Sequence, residues 1–309
     1  EKILKFGDRW GAPDTKTGTV VIDYSHPNIA KPMSVAHLRS TIIGDALYRI
    51  FTFAGWKAIS DNHLGDWGKQ FGVLIAAYKQ QLATLRPRSA WASDKRQVKK
   101  VTIADLLKLY VDYTARMKTD PALDKKAREE TKKLQDGDRE NTKIWKEFYK
   151  VSLTEFKKIY KMLNVTFDYY LGESFYKNML RDVVEDALKK GVAKKSDGAV
   201  AIPLEGFEAP FVIQKSDEAF LYSTTDLAAI IHRNKKFKPN LVLYVVDNSQ
   251  TLHFTQLFKA ADKLGYKRGE TLAHVKFGLI LGEDMKKLST RAGKHIVLQK
   301  VLDEAVKKA

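Results

Sequence analysis

The run Leu241-Val-Leu-Tyr-Val-Val246 is apolar or aromatic at every position. A strand with no wet side suits the centre of a parallel sheet, covered by helices on both faces. A helix is expected after it, since Phe254, Leu257, Phe258, Ala261 and Leu264 fall on one helical face. Near the start, the β-branched run Gly18–Ser25 reads as a second buried strand, followed by the loop His26-Pro-Asn-Ile-Ala-Lys-Pro32. Ser34 is placed to cap a helix whose stripe is Leu38, Ile42, Leu47, Ile50 and Phe51, ending at Gly55, and Trp56–Ser60 reads as a strand. Strand, helix, strand is the parallel α/β unit.

Between these regions, Gln80–Leu163 is patterned for helix only, with Ile103, Leu106, Leu107, Tyr110 and Val111 on one face and Phe156, Ile159, Tyr160 and Leu163 on another. Within it, Lys125–Asn141 is dense in both signs of charge. It reads as a solvated helical hairpin, with an RNA-facing surface as the other reading. Strands are expected again at Thr166–Tyr170, Ala199–Ile202 and Phe211–Gln214. The predicted fold class is therefore α/β, a parallel sheet with helices on both faces interrupted by a helical insertion. Residues 1–80 and 165–309 form its two halves and 81–164 the insertion. Ligands belong at the carboxyl ends of the strands, where the topology switches.

The charge of the 309-residue chain, 54 Lys+Arg against 37 Asp+Glu, is +17, which points to polyanionic partners. Without cysteine, disulfides, Cys-ligated zinc and thiol nucleophiles are excluded, and a reducing cytoplasm is the expected setting. No histidine has acidic neighbours at metal-ligand spacing, so no structural metal is predicted. No apolar stretch approaches the roughly 20 residues of a membrane span. The start at Glu1 and the end at Ala309 within a helical pattern suggest a piece of a longer protein.

The segment Ser25-His-Pro-Asn-Ile-Ala-Lys-Pro-Met-Ser-Val-Ala-His-Leu-Arg-Ser-Thr-Ile-Ile-Gly-Asp45 resembles the ATP-binding signature region of the class I aminoacyl-tRNA synthetases, specifically the arginyl-tRNA synthetases. Asn62-His-Leu-Gly-Asp-Trp-Gly-Lys-Gln-Phe-Gly72, Gly172-Glu-Ser-Phe-Tyr176, Tyr222-Ser-Thr-Thr-Asp-Leu-Ala228, Gln250-Thr-Leu-His-Phe-Thr-Gln256 and Gly282-Glu-Asp-Met-Lys-Lys-Leu-Ser-Thr-Arg291 are similar to further motifs of that family, in the family's order. The resemblance covers nearly the whole chain. It implies a Rossmann-like catalytic domain that activates arginine with ATP and Mg2+ as the adenylate, then transfers it to the 2′-hydroxyl of the terminal adenosine of the tRNA for arginine. It also implies that the family's N-terminal tRNA-contacting and C-terminal anticodon-binding domains are absent from these residues. The alternative is an impaired remnant that binds ATP or RNA without charging it.

Residue by residue, the resemblance makes His37 the second histidine of the family's His-x-Gly-His signature. Ser34 and Ala36 stand where the family has histidine and glycine. A strand delivering ATP to this helix start would exploit its unpaired N–H groups, while Ser34 can donate one hydrogen bond but carries no charge. Lys287-Leu-Ser-Thr290 keeps part of the Lys-Met-Ser-Lys-Ser signature. Lys31, Lys286 and Lys287 are thereby implied to neutralise phosphate, with Ser289 and His253 on the adenosine side. Glu173, Asp226 and Tyr222 match the positions that take the arginine side chain, and Asn28 and Gln250 those that hold its α-amino and carboxylate end. A guanidinium in a chain of this charge needs local carboxylates, which accept its planar donors in pairs. On its own residues, Asp226 also reads as an N-cap for a helix starting near Leu227.

Overall fold

The computed structural model describes residues 1–13, 17–85, 101–280 and 296–308. In chain order its elements are α1 (Lys2–Phe6), β1 (Thr19–Asp23), α2 (Val35–Phe53), β2 (Lys57–Asp61), α3 (Lys69–Leu85), α4 (Ile103–Met117), α5 (Pro121–Gln135), α6 (Arg139–Met162), α7 (Glu173–Tyr176) and α8 (Leu180–Lys189). They continue as β3 (Lys194–Ser196), β4 (Ala199–Ile202), β5 (Phe211–Gln214), α9 (Tyr222–Phe237), β6 (Leu241–Asp247), α10 (Thr251–Lys263), β7 (Thr271–Phe277) and α11 (Leu298–Lys308). The chain divides into two compact units, one of residues 1–26, 37–63 and 165–280, the other of residues 27–36, 64–164 and 281–309.

The first unit holds a four-stranded sheet in the order β2-β1-β6-β7, with every neighbouring pair parallel. β6 is interior, as its unbroken apolarity predicts, and Val242 to Val245 are buried. Its core joins Val21 and Ile59 of the sheet to Val183 and Val184 of α8, Leu227 and Ile230 of α9, and Leu257 and Ala261 of α10. A smaller antiparallel sheet, β3-β4-β5, covers part of the same core.

Two sequence expectations fail here. Residues 166–170 form no strand; Tyr169 makes a single bridge to Asp61. Asp168 turns inward to accept from the Ser60 N–H and hydroxyl at 2.8 and 2.9 Å, which consumes the strand edge a ladder would need. The face that α2 buries is also not its apolar stripe: Ile42 and Ile50 are 43% and 61% exposed. Ser40, Thr41, Gly44 and Asp45 are buried instead. Ser40 Oγ accepts from Ser25 N–H at 2.8 Å and donates to Val245 C=O at 2.6 Å. A Cβ at Gly44 would lie 2.2 Å from Tyr24 Cγ, so this helix approaches β1 through small and polar residues.

The second unit is helical. α4 opens with a capping box between Thr102 and Asp105. α5 starts at Pro121 behind the N-cap Asp120, and α6 behind the N-cap Asp138. α3, α4 and α5 share the buried Val73, Ala76, Ala77, Tyr113 and Ala127. The 24 residues of α6 bury Ile144, Phe148, Phe156, Ile159 and Tyr160 at helical spacing. Among the described residues no helix is long and apolar enough to cross a membrane.

Candidate active site

The orientation of the first unit follows from its connections. α9 ends three residues before β6 begins, and α10 starts soon after β6 ends. The first turns of both helices therefore lie at the carboxyl ends of the strands, the end where α/β sheets bind ligands. Asp226, in the second turn of α9, meets His253 there, with Oδ2 and Nε2 2.7 Å apart and side chains 21% and 10% exposed. The Tyr222 ring stands edge-on to His253 at 4.8 Å and is otherwise exposed. Because α9 begins at Tyr222 with Leu221 as N-cap, Asp226 is not the helix cap that its own residues suggested. Glu173 opens α7, which packs against α9. Gln250 closes the exposed turn after β6. Among the described residues, no group of three His, Cys, Asp or Glu side chains stands together as a metal site.

Beneath this surface lies a cluster that the sequence did not announce. Asp23 and Asp61, the last residues of β1 and β2, are register neighbours. Arg233 Nη2 of α9 donates to both, at 2.7 and 2.8 Å, and is 1% exposed with its partners at 6% and 0%. The other oxygen of Asp23 lies 2.8 Å from His26 Nε2. Burial opposes the charge of Asp23, but Arg233 and His26 overcome it and hold the carboxyl well below the usual carboxylate range. At Asp61 burial prevails over Arg233, with the Asp23 charge adding to it, and the pKa is raised. Tyr176, three residues after Glu173, is fully buried in the same neighbourhood and its ring stacks on His63 at 5.6 Å. Arg233 thus joins α9 to the ends of β1 and β2.

The first signature is divided between the units. Ser25 and His26 have φ of 81° and 53°, and Ala30 in the second unit has 65°, all left-handed. Each is held by a side chain: Ser25 by Ser40 and Thr41, His26 by Asp23, Ala30 by the buried Ser152 Oγ at 2.8 Å from its N–H. Strain of roughly 1–3 kcal/mol per residue persists only where surroundings enforce it.

In the second unit, Asn28 bridges Gly65, where a Cβ would lie 2.3 Å from Asn28 Oδ1, so the Asn62–Gly72 motif needs glycine there. Lys31 Nζ stands 4.5 Å over the Tyr110 ring. Ser34 is buried and bridges Val297, and Ala36 is exposed. The helix start is less open than expected, because Val35 N–H donates to Ile296 C=O at 3.1 Å. In the first unit His37 is half-buried, its C=O accepting from Thr41 Oγ1. Lys286, Lys287 and Ser289 lie outside the described residues. In the first unit Arg39 Nη1 donates to Gly278 and Leu279 C=O, and in the second Leu298 N–H donates to Met33 C=O.

A family model described as tRNA synthetases class I (R), catalytic domain, matches residues 1–309. An arginine–tRNA ligase of Fusobacterium nucleatum is 44% identical over 296 residues, 95% of this chain and 50% of the relative. One from Streptococcus pyogenes is 44% identical over 312 aligned residues, 100% of this chain and 53% of the relative. The chain thus spans about half the length of the curated relatives it matches. The crystal structure of arginyl-tRNA synthetase from Plasmodium falciparum superposes with a TM-score of 0.75 at 30% identity, over 98% of this chain and 48% of that one. The Thermus thermophilus arginyl-tRNA synthetase shares the fold, with a TM-score of 0.70 at 19% identity over 96% of this chain and 54% of that one.

Proposed function

The chain belongs to the class I tRNA synthetases (R), catalytic-domain family, and from that premise we propose that it is the catalytic core of an arginine–tRNA ligase. Its substrates in this reading are arginine, ATP with Mg2+ and the tRNA for arginine, and its setting is the cytoplasm. The observation that carries the reading is Asp226: a carboxylate at the ligand-binding end of the sheet, partly exposed, whose ion-pair partner among the described residues is a histidine. A guanidinium entering there replaces a weak partner with planar, charged donors. Glu173 supplies the second carboxylate and Tyr222 the phenol, and the set rejects lysine by geometry and citrulline by charge.

Arginine's carboxylate then attacks the α-phosphate of ATP in line; the new C–O–P bond gives arginyl-adenylate, and pyrophosphate leaves. The 2′-hydroxyl of the terminal adenosine next attacks the activated carbonyl, and AMP leaves. No covalent bond to the protein is required. Catalysis consists of positioning and of opposing the charge that develops on the phosphates. The assignments implied by the resemblance are kept in this proposal: Gln250 and Asn28 for the amino-acid backbone, His37 and Ser34 as donors to phosphate, Lys31, Lys286 and Lys287 as countercharge, and Ala36, His253 and Ser289 lining ATP.

Calorimetric titration of arginine, lysine and citrulline, with and without ATP, tests the reading. Binding of arginine alone is expected. Equal binding of citrulline would overturn it, because the carboxylates would then contribute nothing to selection.

A further inference from the structure

α5 and α6 are both rich in lysine and arginine, yet their charges are arranged differently. On α5, Lys126 pairs with Glu129 and Glu130, Arg128 with Asp124, and Lys133 with Glu130. On α6, Arg139, Lys143, Lys146, Lys150, Lys157 and Lys161 are all exposed. At 100° per residue they lie within an arc of about 60°, along about 33 Å of helix. Among the described residues, Arg139, Lys143, Lys146, Lys150 and Lys161 form no ion pair. Of the acids of this helix, Glu140 reaches Lys79, Glu155 takes Lys158, and Glu147 stands at the edge of the stripe. A shallow groove of about 490 Å³ runs along Arg139, Thr142, Lys143, Lys146, Glu147 and Lys150.

We infer that this stripe is a docking surface for an RNA backbone, and, resting on the function proposed above, that the RNA is the tRNA substrate. Like charges at i,i+4 repel, and Glu147, the carboxylate beside the groove, does not balance Arg139, Lys143, Lys146 and Lys150 together. A line of phosphates does. A bilayer is a poor fit, because an interfacial helix needs an apolar face to insert, whereas α6 spends Ile144, Phe148, Phe156 and Ile159 on its own core. A protein interface is expected to have an apolar or aromatic centre, and the middle of this stripe offers Lys146, Lys150 and the exposed Thr154.

The test compares two triple variants of the 309-residue chain that lose the same charge. One is Lys143→Gln/Lys146→Gln/Lys150→Gln on α6, and the other is Lys126→Gln/Arg128→Gln/Lys133→Gln on α5. The affinity for a transcript of the tRNA is measured between about 50 and 200 mM salt, and arginine binding is measured in parallel. The α6 variant is expected to lower the slope of log K against log salt by about 2 to 3, and the α5 variant by less than one. Equal slopes for the two variants would overturn the surface. If the slopes differ as expected while the parent chain fails to bind arginine, the surface stands and the assignment of the RNA as substrate falls.

Discussion

Two carboxylate clusters stand two helical turns apart on α9, and they differ in what neutralises them. Around Arg233, the buried Asp23 and Asp61 face a cation that is part of the chain. Around Asp226 the partner is His253, and the pair keeps some exposure, 21% at the aspartate and 10% at the histidine. The first cluster is closed: its guanidinium cannot leave, so it fixes where α9 sits against the ends of β1 and β2. The second is held by the His253 imidazole, which offers one donor where an incoming guanidinium offers planar, paired ones. One fold thus uses the same chemistry, carboxylate against guanidinium, once to build the site and, in the function proposed, once to fill it. Glu130 in the second unit is another closed case, with Lys79, Lys133 and Asn141 around it.

The largest expected effect comes from opening the closed cluster. Arg233→Met leaves Asp23 and Asp61 buried without their cation, and urea unfolding should show a loss of about 3–5 kcal/mol. A loss below about 1 kcal/mol would mean that the cluster does not lock the strand ends. Glu130→Gln probes the same principle at another place. Burial opposes its charge, but the hydrogen bonds from Lys79 and Asn141 and the charge of Lys79 lower its pKa from 4.5 to about 2. A depressed carboxylate stabilises the folded state above its unfolded pKa and ceases to do so as pH falls through the folded one. The variant should therefore be less stable than the parent by about 2–3 kcal/mol at pH 7. That difference should shrink between about pH 4.5 and pH 2. A gap that is constant with pH would contradict the ion-pair account.

Asp226→Asn should behave in the opposite way to Arg233→Met. Stability is expected to change by less than about 1 kcal/mol, because Asn keeps a side-chain oxygen for His253 at this half-buried position. Arginine affinity, read by calorimetry, should fall by about 1.5–3 kcal/mol, roughly 10- to 100-fold, because a charge-assisted hydrogen bond is lost. If Asn at 226 destabilises the fold and leaves arginine affinity intact, the contrast between the two clusters is broken.

How much of this was legible in the sequence depends on the kind of signal. The unbroken run at Leu241–Val246 announced an interior parallel strand, and it is one. The stripe on α2 misled because apolar periodicity marks the buried face only when the neighbour is apolar. Here the neighbour is the Ser25 turn and the Tyr24 ring, which Ser40, Thr41 and Gly44 fit. β7 was missed, since Thr271-Leu-Ala-His-Val-Lys-Phe277 is an edge strand and mixes polar with apolar residues. Asp226, Tyr222 and His253 were singled out by motif, but their contacts were not foreseeable. Arg233 carried no signal at all: one arginine among 54 basic residues becomes notable only when topology sets two aspartates beside it. The surface stripe of α6 follows a helical spacing, i, i+4, i+7, i+11, yet spacing alone does not tell paired from unpaired cations.

The smallest expected effect sharpens the comparison most, because it asks which ligand His253 serves. The family resemblance gives His253 to the adenosine side, whereas the structure pairs it with Asp226. A histidine whose Nε2 meets the carboxylate fixes the orientation of Asp226 before arginine arrives, as an outer hydrogen bond fixes a ligating group. His253→Gln retains a side-chain donor for Asp226 but loses the ring geometry and the edge contact with Tyr222. Arginine affinity measured without ATP should then weaken by about three- to tenfold, roughly 0.7–1.4 kcal/mol. His253→Ala, which leaves the carboxylate with no partner at this position, should weaken it further. If both variants bind arginine normally in the absence of ATP and lose only ATP affinity, His253 belongs to the nucleotide, and Asp226 is held open by the backbone of α9 alone.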